Sequence, residues 1–363
     1  MSRPRREIRS AYMEWAKRRS HARLNLATSG LANFPLAKLP VRLEDLELSG
    51  PSHYGYEPLQ RRLAVRCGVK PGCVVAATGT SMANHLAMAA LLNSGDEILI
   101  EHPTYELLLN VAEYLGAQIR RFSRRFEDNF AVEPREIERA VTSRTRLIIL
   151  TNLHNPSGVL TEDSVLQQVG EIARSVGARV LVDEVYLDAA FTRAPRSAFH
   201  LGEHFVVTSS LTKVYGLSGL RCGWVLAAPD VAERMWRLND LFGVAAAHPA
   251  ERLSVVALDH LDEIAAHARA LLVTNRVLLK RFLDSRDDLR AVWPEAGTMV
   301  FPRLVRGTVD SLCARLQEVY ETSVVPGTFF EMPEHFRIGI GGDTEMVAEG
   351  LERLAAALDA GPS

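Results

Sequence analysis

The middle of the chain alternates short apolar runs with amphipathic stretches. Apolar runs bounded by polar residues predict buried strands, and apolar residues at every third or fourth position predict helices. The predicted strands are Val74–Thr78, Glu97–Glu101, Leu147–Thr151, Val180–Asp183, Phe205–Ser209 and Trp224–Ala227. The predicted helices are Ser81–Leu92, Tyr105–Leu115, which Gly116 ends, and Thr161–Val176, with Thr161 as N-cap and Gly177 as the C-cap signal. This alternation favours an α/β fold with helices on both faces of a sheet.

The pattern changes after Pro249. A long, kinked helical region is predicted over Ala250–Leu283, because apolar residues recur there at helical spacing without intervening strands. Two strands, Gly297–Phe301 and Phe336–Ile340, and a helix, Thr344–Leu358, are predicted beyond it. The first 35 residues do not follow the alternating pattern, and we expect them to pack with this C-terminal α+β part. A chain of 363 residues exceeds the usual size of one hydrophobic core, so two domains are expected.

Composition and charge limit the possible partners. The chain is 47% apolar with a formal net charge of -2, so nothing favours binding to nucleic acid or to an anionic membrane surface. The basic start, Arg3 to Arg6, is not followed by an apolar stretch and is interpreted as a frayed terminus, not as a signal peptide. No apolar run is long enough to span a membrane. The four cysteines are scattered and the histidines lack metal-binding spacing, so we predict no metal, no disulfide framework and a cytoplasmic location.

The segment around Lys213 carries the strongest chemical signal. A predicted strand ends in Ser209 and Ser210, and Thr212, Lys213 and several glycines lead to Arg221, eight residues after the lysine. Hydroxyl donors and a planar, permanently charged guanidinium suit a phosphate dianion. A lysine at a buried strand end can act as an amine nucleophile, as Schiff-base chemistry requires. The alternative, a surface loop with a solvated lysine, explains the whole string poorly, so we predict that Lys213 holds pyridoxal phosphate.

A second signal lies at the end of the strand that runs to Asp183. The apolar residues before it leave little water nearby, so an ionised carboxylate there needs a cationic or hydrogen-bonding partner. A protonated pyridine nitrogen is such a partner, and Tyr186 is placed to donate to the same ring. The alternative for Asp183 alone is a helix N-cap or a surface turn.

Two turns and one aromatic residue add weaker signals. Asn155 follows a strand in Asn155-Pro156-Ser157-Gly158, at the edge where ligands bind in open α/β sheets. Thr80 and Ser81 open a helix after Gly79, where backbone N–H groups and hydroxyls form an anion site. Tyr105 begins the next helix and can lay its ring on a bound aromatic group. Each also has a purely structural alternative. It is a simple turn for Asn155, N-capping for Thr80 or Ser81, and core packing for Tyr105.

Together these segments resemble the class I/II aminotransferases, which are fold-type I pyridoxal-phosphate enzymes. The resemblance covers Leu24 to Leu358. It implies a large cofactor-binding domain, residues 36–265, with a mostly parallel seven-stranded sheet. It also implies a smaller α+β domain formed by residues 1–35 and 266–363, and a homodimer with its active sites at the subunit interface.

The resemblance also assigns roles by matching position. Lys213 would form the Schiff base and carry the proton between substrate and cofactor, Asp183 would pair with the pyridine nitrogen, and Tyr186 and Asn155 would contact the phenolic oxygen. The remaining matches are Tyr105 for ring stacking, Thr80, Ser81, Ser210 and Arg221 for the phosphate, and Arg337 and Gly30 for the substrate, with Arg337 binding its α-carboxylate.

The chain departs from the family pattern in two places. The family usually carries a tyrosine that reaches the partner subunit's phosphate, five residues before a glycine that matches Gly55. Gly50 stands at that position here, so Tyr54, or less favourably Tyr56, is expected to substitute. Leu153 and His154 also replace the proline and the variable residue that often precede the matching asparagine.

The resemblance implies an aminotransferase that uses an α-amino acid and a 2-oxo acid in a ping-pong cycle. Residues 243–249 lack the arginine that dicarboxylate-specific members often use, which favours neutral, apolar or aromatic amino acids, with glutamate or alanine as possible amino donor. A carbon–sulfur β-lyase of the same fold is the main alternative. A ligand-sensing regulator is disfavoured because the segment before Leu24 leaves no room for a DNA-binding domain.

Overall fold

The computed structural model describes residues 9–51 and 53–361, with Thr192 described in its backbone only, so the basic start lies outside the described residues. The strands are β1 (Leu24–Asn25), β2 (Val74–Thr78), β3 (Glu97–His102), β4 (Gln118–Ser123), β5 (Thr145–Thr151), β6 (Arg179–Asp183), β7 (Phe205–Ser210), β8 (Cys222–Leu226), β9 (Leu289–Arg290), β10 (Met299–Val300), β11 (Arg303–Leu304), β12 (Thr322–Ser323), β13 (Val325–Pro326) and β14 (Phe336–Gly339). The α-helices are α1 (Ala11–Arg18), α2 (Glu57–Cys67), α3 (Gly79–Leu91), α4 (Glu106–Leu115), α5 (Pro134–Ala140), α6 (Asp163–Ser175), α7 (Pro229–Asn239), α8 (His248–Asp259), α9 (Leu261–Asp284), α10 (Val309–Val319) and α11 (Thr344–Asp359).

A seven-stranded sheet forms the centre of the molecule, in the order β2-β8-β7-β6-β5-β3-β4. Only β8 runs antiparallel to its neighbours, and the other pairs are parallel. The expected mostly parallel seven-stranded sheet is therefore confirmed. The register sets Thr151 beside Asp183 and Asp183 beside Thr208, so the carboxyl ends of β5, β6 and β7 meet at one edge.

The two chain ends come together outside this sheet. β1 pairs in parallel with β12, with Leu24 opposite Thr322. A second small sheet has the order β10-β14-β13 and carries Arg337 in its central strand. The N-terminal segment thus packs with the C-terminal part as expected, whereas the domain boundaries at residues 36 and 265 stay predictions.

The structure changes two local predictions and explains a third. Thr161 is not the N-cap of α6, because Glu162 takes that position and the Thr161 hydroxyl accepts a hydrogen bond from Arg124. The long helical region divides at His260 into α8 and α9, which explains the predicted kink. The strand predicted over Gly297–Phe301 is shortened to β10. In the part of the chain that the structure describes, no helix has the length and apolar character needed to cross a bilayer.

Candidate active site

A cavity of about 380 Å³ opens at the carboxyl edge of the sheet. Its walls come from the ends of β5 and β6, the start of α3, the loop after β7, and the N-terminal segment. The expected site residues that line it are Thr80, Ser81, Tyr105, Asn155, Asp183, Tyr186, Lys213 and Arg221. These residues are spread over about 140 positions of the sequence, yet they line one cavity. Such a meeting of strand ends and helix starts is expected in a doubly wound sheet.

Lys213 is half-buried and lies against the N-terminal segment. Its Nζ donates to Ser29 Oγ at 3.3 Å, and the Tyr186 hydroxyl donates to the same Ser29 oxygen at 2.7 Å. The backbone N–H of Leu31 donates to the Lys213 carbonyl oxygen, and a Cβ added to Gly30 would lie 3.4 Å from Lys213 Cδ. Gly30, which the resemblance assigns to substrate binding, therefore lies beside Lys213.

Asp183 is held as a buried carboxylate at the end of β6. Its Oδ2 accepts a hydrogen bond of 2.8 Å from Asn84 Nδ2, and its Oδ1 accepts one from the backbone N–H of Val185. The Thr208 hydroxyl in turn donates to Asn84 Oδ1, which fixes the amide orientation. Burial nevertheless raises the pKa of Asp183 to about 6, because these neutral donors do not replace the lost water. A cationic ring nitrogen would supply the missing charge.

Hydroxyl groups and one guanidinium surround the start of α3. Thr80 Oγ1 donates to Ser210 Oγ at 2.8 Å, and Ser210 Oγ also hydrogen-bonds Thr212 Oγ1 at 2.7 Å. A Cβ at Gly79 would collide with the Arg221 guanidinium, so glycine is what lets the arginine approach the helix start. These donors, together with the backbone N–H groups at a helix start, make a site suited to a phosphate dianion.

Arg337 is fully buried beside the cavity. Its Nη1 donates to Asn155 Oδ1 at 2.8 Å, and its Nη2 donates to the Tyr12 hydroxyl and to the Ala27 carbonyl oxygen, each at 3.0 Å. Its Nε has no hydrogen-bond partner within the described residues. Asn155 is fixed by its own backbone N–H, which donates to Thr151 Oγ1. The guanidinium therefore keeps a donor for a ligand.

Tyr54, which is expected to contact a phosphate, lies outside the wall of this cavity. It is 55% exposed, and its hydroxyl donates to Asp240 at 3.1 Å, near the start of an exposed apolar segment at Leu241 and Phe242. Among the described residues, those that line the cavity do not include Tyr54.

Sequence reasoning missed three residues of this site: Asn84, Ser29 and Tyr12. Asn84 could have been found, because it lies four residues after Thr80 and so on the same face of α3. Ser29 and Tyr12 belong to a segment without strong periodicity, and no local signal places them at the sheet edge.

This geometry, with a lysine, a buried carboxylate and a helix start rich in hydroxyl donors at one sheet edge, fits a pyridoxal-phosphate enzyme of the aminotransferase fold. Residues 45–354 match the family model described as aminotransferase class I and II, and the chain belongs to that family.

The chain is 29% identical to capreomycidine synthase of Streptomyces vinaceus, over 95% of this chain and 92% of that protein. It is 26% identical to an arginine–pyruvate transaminase of Pseudomonas aeruginosa, over 86% and 84% of the two chains. In fold it resembles a PLP-dependent aminotransferase from Streptococcus suis, with a TM-score of 0.92, 24% identity and 98% coverage of both chains. It also resembles the PLP-dependent cyclase OrfR, with a TM-score of 0.88, 26% identity and 99% coverage of both.

The cofactor of this enzyme is pyridoxal phosphate, and the residues present fit it. When bound, this cofactor supplies an aldehyde that condenses with amino groups and a protonated ring that accepts electrons from a bond broken at Cα. Lys213 would offer the amine, Asp183 the charge for the ring nitrogen, and Arg221 with the α3 hydroxyls the phosphate donors.

Proposed function

We propose that this enzyme transfers the amino group of an α-amino acid to a 2-oxo acid in a ping-pong cycle. Arg337 carries the proposal, since a buried guanidinium with an unused Nε donor, in contact with Asn155, suits the α-carboxylate that amino and oxo acids share. Fixing that carboxylate orients the Cα–H bond toward Lys213. The same interaction with Arg337 disfavours cleavage of the bond between Cα and the carboxylate.

In this proposal the residues around the cavity divide the work between the reacting carbon, the cofactor ring and the phosphate. Lys213 Nζ holds the cofactor at rest, then takes the proton from Cα and returns it to the neighbouring carbon. Asp183 keeps the ring nitrogen protonated, Tyr186 and Asn155 donate to the phenolic oxygen, and Tyr105 lies against the ring. Gly30 leaves room for the substrate beside the lysine. The phosphate is assigned to Thr80, Ser81, Ser210 and Arg221.

The substrate side chain is proposed to be uncharged. Met13, Trp15 and Ala16 of α1, whose side chains are mainly apolar, line the cavity. Residues 243–249 contribute no arginine that could pair with a side-chain carboxylate. These features support neutral, apolar or aromatic amino acids, with glutamate or alanine as amino donor.

A ring-forming reaction is the second candidate. It is favoured by the similarity over nearly the whole chain to one relative named a synthase and another named a cyclase. The same cofactor residues would serve it, and also a β-elimination, because all three reactions begin with removal of the Cα proton.

The candidates differ in their products. The holoenzyme is to be incubated with a panel of amino acids, with and without pyruvate, while oxo acid, ammonia and cyclic products are measured by mass spectrometry. An aminotransferase forms alanine from pyruvate and releases no ammonia. A cyclic product without an oxo-acid acceptor would replace this proposal with the cyclase, and ammonia with pyruvate release would replace it with the lyase.

Arg337 can be tested separately from Lys213. We expect Arg337→Ala to raise the KM for amino acids by about 100-fold, because charge-assisted hydrogen bonds contribute roughly 1.5–3 kcal/mol each. Cofactor retention, measured by the visible absorption of the purified protein, is expected to stay near that of the wild type. Equal loss of cofactor would contradict the assigned role.

We also propose a homodimer with its active sites at the interface, in which Tyr54 reaches the partner subunit's phosphate site. Family members are typically dimeric. The side chains of Leu43 and Leu48 are each 85% exposed, and Leu241 is 77% exposed. The Tyr54 hydroxyl donates to Asp240, the residue before Leu241. Exposed apolar side chains of this kind support an interface.

A further inference from the structure

Helix α1 is anchored over the cavity by one carboxylate. Glu106, the first residue of α4, accepts hydrogen bonds from Ser10 Oγ at 2.7 Å, from the backbone N–H of Ala11 at 3.0 Å and from that of Tyr12 at 2.8 Å. The carboxylate thus satisfies donors that the first turn of α1 leaves unpaired. Glu106 directly follows Tyr105, so the anchor of α1 and the residue proposed to stack on the cofactor are fixed by the same turn.

This anchoring places Tyr12 against Arg337. The Tyr12 hydroxyl accepts from Arg337 Nη2 at 3.0 Å, and the guanidinium carbon lies 5.7 Å from the Tyr12 ring centroid. The Tyr12 ring meets the rings of Tyr105 and Phe329 edge-on, each at 5.7 Å, which fixes its orientation. Tyr12 is only 9% exposed and lines the cavity.

The proton of the Tyr12 hydroxyl remains available for a hydrogen bond to a ligand. Its oxygen accepts from Arg337, while its own proton has no acceptor among the hydrogen bonds of the described residues. Burial raises the pKa of Tyr12, but the positive charges of Arg337 and Lys213 outweigh that effect and lower it. A phenol polarised in this way is a stronger donor to an anion. Arg337 Nε is also free of partners there, so the pair offers donors from two different side chains.

We propose that Tyr12 is a substrate-binding residue, whose O–H donates to the α-carboxylate that Arg337 binds, and that Glu106 is the positioning residue that holds α1 where Tyr12 can do so. The proposal rests on the function proposed above for Arg337. It makes α1 part of the substrate site and explains why a chain end lies across it.

A carboxylate that cannot react tests this directly. We choose 3-phenylpropanoate, an aromatic acid without an amino group, and measure its dissociation constant with the holoenzyme by calorimetry. Tyr12→Phe is expected to weaken binding about tenfold, since one hydrogen bond to a charged group is lost while the ring remains. Tyr320→Phe, which removes a hydroxyl that donates to the Ala356 carbonyl oxygen far along the chain, is the matched control and should bind as the wild type does.

The anchor is tested by amide hydrogen exchange of residues 9–20 in the same holoenzyme. Glu106→Gln loses an acceptor oxygen and is expected to speed exchange in α1 and to weaken 3-phenylpropanoate binding. Tyr12→Phe should leave α1 exchange nearly unchanged, and so should Glu113→Gln, an exposed change on α4. A Tyr12→Phe variant that binds within about twofold of the wild type, or unchanged α1 exchange in Glu106→Gln, would overturn the proposal.

These measurements also distinguish failure of the proposed amino-group transfer from failure of the role assigned to Tyr12. If the wild type binds 3-phenylpropanoate in a Tyr12-dependent way but transfers no amino group, the carboxylate site stands and the reaction assigned to it falls. If the wild type transaminates and Tyr12→Phe changes neither binding nor KM, only the role of Tyr12 falls.

Discussion

Lys213 is the residue to which we assign the Schiff base, and its surroundings support that assignment. The Ser29 hydroxyl accepts from Lys213 Nζ and from Tyr186, so the amine is directed into the cavity although the lysine lies on a loop. Its neighbours, not its own position on a rigid strand, define where it can react.

We expect Lys213→Ala to abolish the visible absorption band of the bound cofactor and to lower kcat by at least about 1000-fold, as loss of both the amine nucleophile and the proton carrier requires. Absorption spectra of wild type and variant, each reconstituted with pyridoxal phosphate, measure this. A colourless wild type would refute the assignment of Lys213, and a variant that keeps its band would do so too.

Glu184, the residue after Asp183, is expected to make the stability of the fold depend on pH. Burial raises the pKa of Glu184 to about 8, although the Ala198 N–H and the Ser197 hydroxyl stabilise the ionised form. The same carboxyl titrates near about 4.3 in an unfolded chain. Its contribution to stability is therefore complete below that pH and is lost as the pH rises through about 8.

We expect Glu184→Gln to be more stable than the wild type at about pH 9 and similar to it at about pH 5, because the amide cannot ionise and keeps an acceptor for the Ala198 N–H. Urea unfolding at both pH values measures the difference. Glu171→Gln, an exposed change on α6, is the control that should show no such pH dependence. Equal stability of Glu184→Gln and wild type at the higher pH would contradict the expectation.

At the scale of elements, a buried ion pair connects the outer strands to the active site. Arg124 Nη1 lies 2.9 Å from Glu101 Oε2, and both side chains are fully buried. Glu101 Oε1 accepts from the backbone N–H and the hydroxyl of Thr151, each at 2.7 Å. The Thr151 hydroxyl then accepts from the N–H of Asn155, which holds Arg337. The loop after β5 is thus supported from β3.

We expect Arg124→Met to lower the free energy of unfolding by about 3–5 kcal/mol, since it leaves a buried carboxylate without its cation. The double variant Arg124→Met/Glu101→Gln should recover part of this loss, because glutamine is neutral and still accepts from Thr151. Urea unfolding of the single and double variants measures the coupling. Losses that simply add would show that the charge pair is not the cause.

At the scale of the whole molecule, Leu43, Leu48 and Leu241 are large apolar side chains that are each at least 77% exposed, and we assign them to the proposed dimer interface. We expect the purified protein to be a dimer by light scattering after gel filtration. Leu48→Asp should shift it toward monomer by placing a charge in the interface. Val319→Asp, an equally drastic change at an exposed residue of α10, should not. A monomeric wild type would refute the proposed dimer.

The pattern of the sequence by itself predicted six of the seven strands of the central sheet, but not the edge strand β4, whose residues alternate between exposed and partly buried. The number of strands came from the family resemblance. Buried parallel strands are continuous apolar runs, so β5, β6 and β7 are visible without tertiary information. Lys213, Asp183 and Arg221 could be proposed from the sequence because phosphate and ring binding demand particular side chains near the carboxyl edge of the sheet.

Only the tertiary structure decided which distant side chains meet. Asn84 is 99 residues from Asp183, and Tyr12 is 325 residues from Arg337, and local periodicity holds no information on such pairs. Thr161 has the side chain of an N-cap, but its amide and carbonyl bind Asn152 and its hydroxyl accepts from Arg124, so tertiary hydrogen bonds overrode local propensity. The physical reason is that a side chain's local preference is worth about 1 kcal/mol, which several buried hydrogen bonds exceed.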